Sequence, residues 1–230
     1  MTQNKWYSRV AGALFLLAFI GGVSATMLNE LNISTDLATD FARNKVVVLQ
    51  ASIGLMVMGF ACAGISVALY PLLKEQCPAS AVGSVVFRGI EGIFHLLIPI
   101  CYILMSIVAQ TFPRAEADSI LQVMLELIRV YVLTATIAWG IGAMLYYYAF
   151  FKSNMIPRVL SIWGLIAMPL AVLSAILVYF LRMNSFAPVA MALNIPIALQ
   201  ELVLAVWLLV KGVKSFPKRG YVMTGKGENK

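Results

Sequence analysis

Six stretches of this chain are long and apolar enough to cross the hydrocarbon core of a bilayer, and they constrain everything else the sequence can do. They run approximately over 10–27, 46–73, 81–109, 131–151, 159–181 and 187–213. A helical span needs about 20 residues. Within lipid no water is available to backbone amides, so each run must satisfy its own hydrogen bonds as a helix. Composition agrees: 61% of the 230 residues are hydrophobic, 12% are charged, and the mean hydropathy is +0.89. A soluble domain carries about 25% charged residues. The expected fold class is therefore all-α, a polytopic membrane bundle of six transmembrane helices. The polar connections 29–45, 74–80, 110–129, 152–158 and 182–186 are too short to form a second domain, and no internal repeat is evident. The chain divides into a six-helix transmembrane domain, 1–215, and a basic tail, 216–230.

The net charge of +7 follows membrane topology rather than a nucleic-acid footprint. Eleven basic residues fall on the side of the termini: Lys5, Arg9, Lys74, Lys152, Arg158, Lys211, Lys214, Lys218, Arg219, Lys226 and Lys230. Five fall on the other side, namely Arg43, Lys45, Arg114, Arg129 and Arg182, and Arg88 within a span completes the 17. The excess of Lys and Arg predicts both termini in the cytoplasm, and no nucleic-acid partner. Lys5 and Arg9 before an apolar stretch ending Val23-Ser24-Ala25 resemble a signal peptide. The preferred reading is a first spanning helix whose small residues Gly21, Gly22, Ser24 and Ala25 bring two helices close together. Asn32-Ile33-Ser34 has the form of a glycosylation acceptor, to which little weight is given.

Local signals place the helix ends. Pro113 precedes a helix start that Asp118 or Ser119 would cap, and Pro157 opens the fifth span at its first turn. Glu126 and Arg129, three residues apart, form an interfacial pair at most. Pro99, Pro169 and Pro196 fall inside spans, where each kinks its helix and frees a carbonyl.

Ionisable residues within spans cost several kcal/mol each unless they are paired or face water. Four are present: Arg88, Glu91 and His95 in the third span, and Glu201 in the sixth. The first three are spaced i, i+3, i+7 and so share a helix face, which Ser84 and Tyr102 extend. Glu91 lies about ten residues, or about 15 Å, into its span, close to the midplane of a core of about 30 Å. Glu201 is also about halfway along. The economical arrangement sets the third and sixth helices against each other around one polar cluster, with Glu201 sharing the arginine. A purely structural reading is that Arg88 and Glu91 neutralise each other and hold the bundle in register. The functional reading is that the cluster lines a cavity that binds a polar group or passes a proton, since two acids and one arginine leave one net negative charge.

Other features point to packing rather than chemistry. Trp139-Gly140-Ile141-Gly142 and the Gly59/Ala63 pair are helix-contact surfaces, and Tyr146-Tyr147-Tyr148 reads as an interfacial aromatic belt. Cys62, Cys77 and Cys101 have no C-x-x-C spacing, so neither a disulfide framework nor a metal site follows. A single histidine excludes a bis-histidine haem. No G-x-S-x-G, H-E-x-x-H or Walker loop is present, which points away from an enzyme, and no cofactor is implied.

Several segments resemble a family of bacterial membrane proteins, domain-of-unknown-function family 4386. Glu201-Leu-Val-Leu-Ala-Val-Trp207-Leu-Leu-Val-Lys211-Gly212 is similar to its E-L-x-L-A-x-W-L-L-x-K-G ending, and Lys152-Ser153 through Pro157-Arg158-Val159-Leu160 to its basic-S-x-x-x-P-R-V-L turn. Phe87-Arg88-Gly89-Ile90-Glu91 resembles its F-R-x-x-E, and Arg9-Val10-Ala11-Gly12 its opening. Ser161 and Gln200 stand where members often carry glycine. The resemblance implies six helices in a bacterial cytoplasmic membrane and marks Arg88, Glu91 and Glu201. It implies no activity.

The leading expectation is a mid-bilayer site for a small polar or amphipathic ligand, or a proton relay. Arg88 would fix an anionic group or hold the acids, Glu91 and Glu201 would titrate, and His95 and Tyr102 would tune access. The rival expectation is a non-catalytic accessory or scaffold subunit that docks another membrane protein, with the charges purely structural. The bilayer is a partner in either case.

Overall fold

The computed structural model describes residues 2–214, so the basic tail expected over 216–230 lies outside the described residues. No strand occurs among the described residues. Helix α1 (Thr2–Ser24) continues through a 3-10 turn (Ala25–Leu28) into the single turn α2 (Asn29–Asn32), and a short α3 (Leu37–Arg43) follows. Five long helices complete the fold: α4 (Lys45–Leu73), α5 (Pro78–Thr111), α6 (Arg114–Ser153), α7 (Arg158–Phe180) and α8 (Pro188–Val210). Six helices are long and apolar enough to cross a membrane: Asn4–Asn32, which takes in α1 and its extension, and α4 to α8.

The connectivity is a ring. Each long helix packs along the next in sequence, and α1 packs against α8 to close the circle. Closure requires a small residue: a β-carbon on Gly12 would lie 2.7 Å from the Ala205 carbonyl oxygen. Likewise α4 and α5 approach through Gly59 and Gly92, where a β-carbon on Gly92 would lie 2.9 Å from the Gly59 oxygen. The outward faces of the helices are largely apolar, as with Val86, Ile93, Ile100 and Ile107 at seven-residue intervals on α5.

The ring corrects one expectation. Helices α5 and α8, which carry the intramembrane charges, share no packed face; they stand on opposite sides of the ring. Six sequential antiparallel neighbours that close into a circle put the third and sixth members across from each other, with space between them.

The ends of the ring differ. At the end with the termini, α8 stops at Gly212, whose φ of +72° suits glycine and whose amide bonds the Trp207 carbonyl 3.0 Å away. The α6–α7 turn passes through Asn154 in the left-handed region, with φ of 53°, to Pro157 just before α7. These two stops are tied together, since the Lys214 amide donates to the Met155 carbonyl at 2.9 Å.

At the far end, α2 and α3 fold over the ring and bury Leu31, Leu37 and Phe41, and Phe41 stacks on Tyr102 with centroids 6.3 Å apart. Helix α6 begins directly after Pro113 and runs for 40 residues, about 60 Å. Asp118 and Ser119 therefore lie within the helix and do not cap it. Asp118 instead accepts from the Ala38 amide at 2.8 Å, serving the first turn of α3. Glu126 is bonded by Arg182 from the α7–α8 connection, while Arg129 stands 4.0 Å from the same oxygen.

Candidate functional site

Arg88 and Glu91 are 1% and 2% exposed, and their side chains pair at 2.8 Å within one turn of α5. The guanidinium also donates through Nε to the Cys62 carbonyl of α4 at 3.3 Å. Gly142 of α6 makes room for its stem: a β-carbon there would lie 2.9 Å from Arg88 Cγ. One turn further on, His95 Nε2 is 3.8 Å from Glu91 Oε1, and its Nδ1 has no partner. Pro99, four residues on, withholds the amide that would bond the His95 carbonyl. Ser84, on the same stripe, is buried with an unpartnered hydroxyl.

Glu201 is held differently. Its Oε1 accepts from Trp139 Nε1 at 3.2 Å and from the Tyr146 hydroxyl at 3.3 Å, both on α6. It forms no ion pair with Arg88, so the expected sharing of the arginine between the two acids is not what binds them. The reason is the ring: the groups face each other across a cavity of about 230 Å³ rather than touching. That cavity is lined by Arg88, Glu91, His95, Glu201, Thr136 and Trp139, with α1 supplying Phe15 and Phe19 and α4 supplying Met58, Cys62 and Ile65.

Tyr102 does not join this site. It continues the α5 stripe, but two turns nearer the far end, where its hydroxyl accepts from Asn32 Nδ2 at 2.7 Å. There it lines a second, larger cavity of about 350 Å³, enclosed by the residues that follow α1 and by α5, α6, α7 and α8. Thr136 and Trp139 belong to both cavities.

Reading the sequence missed Trp139 and Tyr146 as partners of the charge cluster. Tyr146 and Tyr147 are fully buried rather than interfacial, Tyr147 bonding Gln200, and only Tyr148 of the three is exposed. A signal was present: Trp139, Gly142 and Tyr146 are spaced i, i+3, i+7, the same interval that marked Arg88, Glu91 and His95. Gly59 and Gly140 make internal contacts, with α5 and with Val172 of α7 respectively. Among the described residues no group of three metal-ligating side chains converges.

Six apolar helices around a charged interior define a multi-pass membrane protein. The chain belongs to the family described as Domain of unknown function (DUF4386), whose model matches residues 10–212. No curated protein and no solved structure matches it.

Proposed function

We propose that the protein uses its charged mid-bilayer cavity to bind a small polar group or relay protons, in a bacterial cytoplasmic membrane with both termini inside. The supporting observation is that Glu91 and Glu201, from opposite sides of the ring, line one cavity together with an arginine and a histidine. Charges needed only to lock helices together would be expected at a helix–helix contact. The Arg88–Glu91 pair touches α4 and α6 in this way but also lines the cavity, and among the described residues Glu201 makes no ion pair, its carboxylate being held by Trp139 and Tyr146. Arg88 holds Glu91 or an incoming anionic group, and His95 adjoins Glu91 with a free ring nitrogen. At about 230 Å³ the cavity is smaller than most ligand pockets, which run from about 300 Å³ upward. This suits water, protons or a small head group better than a whole metabolite.

The test is gentle extraction and native mass spectrometry, paired with proton flux in liposomes. The parent is compared with Glu201→Gln and with the charge-neutral double variant Arg88→Gln/Glu91→Gln. The expected result is a bound mass or a proton flux in the parent that both variants lose while keeping their fold. Variants that behave as the parent, or a parent that carries no mass and passes no protons, overturn this reading. The accessory-subunit reading would then lead, using a surface other than Gly59 and Gly140.

A further inference from the structure

We propose that the far-end cavity is a separate binding site for a single-chain carboxylate amphiphile, with its head at Arg129 and its tail running down α6 toward Trp139. The cavity of about 350 Å³ falls within the range of ligand pockets, whereas the charged cavity beneath it falls short.

Its polar groups sort by depth. In the deep part they satisfy one another. Thr136 donates to the Val132 carbonyl at 2.8 Å, Ser174 donates to the Ala190 carbonyl at 3.2 Å, and Asn194 Nδ2 bonds Ser174 at 2.8 Å. What remains there for a ligand is the apolar wall of Val132, Leu133, Ala171, Ala175 and Val178. At the mouth the donors are less firmly committed. Among the described residues Arg129 is the only charged one lining the cavity, and its nearest acid, Glu126, is bonded more closely by Arg182 through the same oxygen. Asn184 spends its oxygen on the Phe186 amide, which leaves its NH₂ group free. Asn32 has an unpartnered Oδ1, but the Tyr102 hydroxyl it bonds both donates and accepts, so a half-turn of the amide presents an NH₂ instead.

A mouth lined by an arginine and amide donors and by no carboxylate recognises a carboxylate. The ten residues from Arg129 to Trp139 give the tail about 15 Å of apolar wall. This site is independent of the charged cavity, though Trp139 connects the two.

The probe is labelled dodecanoate, bound to protein in neutral detergent, with dodecanol and phosphatidylglycerol as competitors. The expected result is saturable binding that dodecanol and phosphatidylglycerol displace poorly. Arg129→Gln should weaken it about tenfold, the loss expected for one charge-assisted hydrogen bond. Arg129→Lys should retain most of it, and Ala175→Phe, which fills the tail wall, should abolish it. Dodecanoate binding is read separately from bound mass and proton flux at the charged cavity, so failure here is separable from failure of the charged-cavity reading. Unchanged dodecanoate binding in both Arg129→Gln and Ala175→Phe overturns the proposal. So does equal displacement by dodecanol, or by phosphatidylglycerol, which would indicate a general lipid surface.

Discussion

Arg88 survives inside an apolar bundle because its charge and its Nε donor are answered locally. Glu91 lies 2.8 Å away, the Cys62 carbonyl accepts from Nε, and Gly142 leaves room for its methylenes. Removing one member of such a buried pair strands the other, at a cost of about 3 kcal/mol or more, whereas removing both together costs far less. Glu91→Leu is thus expected to lower the detergent unfolding midpoint sharply, and Arg88→Met/Glu91→Leu to recover most of the loss. If Glu91→Leu matched the parent, the guanidinium would have to be finding Glu201 across the cavity. Gly142 offers a second check at the same site. Its β-carbon would also come within 3.1 Å of the Arg88 backbone nitrogen, which cannot swing aside as Cγ can. Gly142→Ala is expected to destabilise by about 1–3 kcal/mol, the usual range for an overpacked interior.

At the scale of elements, two of the segments that carry the family resemblance contain helix stops. Lys211-Gly212 ends α8 with a left-handed glycine, and the segment through Asn154 and Pro157 ends α6 and starts α7. They dock on each other through Lys214 and Met155, and the Val213 amide bonds Ser8 of α1 at 3.1 Å. Four helices, α1, α6, α7 and α8, are therefore tied together at this end. A β-branched residue at φ +72° is strained by about 1–2 kcal/mol. Gly212→Val is accordingly expected to lower the unfolding midpoint, while Asn154→Gly, at φ 53°, is expected to be close to neutral. The helices themselves were legible in the sequence because lipid leaves a 20-residue apolar run no alternative. The face shared by Arg88, Glu91 and His95 was legible because the helical period fixes it. What periodicity does not contain is the order of helices around the axis. That order places Tyr102 in the other chamber, sets α5 across the ring from α8, and brings Trp139 and Tyr146 to the charge cluster.

For the whole molecule, closure of α1 on α8 turns six helices into an enclosure, and it also gives the interior a direction. The charged cavity shares Thr136 and Trp139 with a chamber at the far end, beside α2. If the excess of Lys and Arg at the termini sets the orientation, that chamber opens away from the cytoplasm, and a ligand from outside the cell meets Arg129 before it meets Glu201. The orientation is open to direct measurement because Cys62, Cys77 and Cys101 are all buried and should react little with a membrane-impermeant maleimide. Ser185→Cys, in the α7–α8 connection, is expected to label in intact cells or spheroplasts. Lys152→Cys, at the end of α6, is expected to label only after the membrane is opened. The reverse pattern would turn the large chamber toward the cytoplasm, and a carboxylate amphiphile reaching it would then have to come from inside the cell.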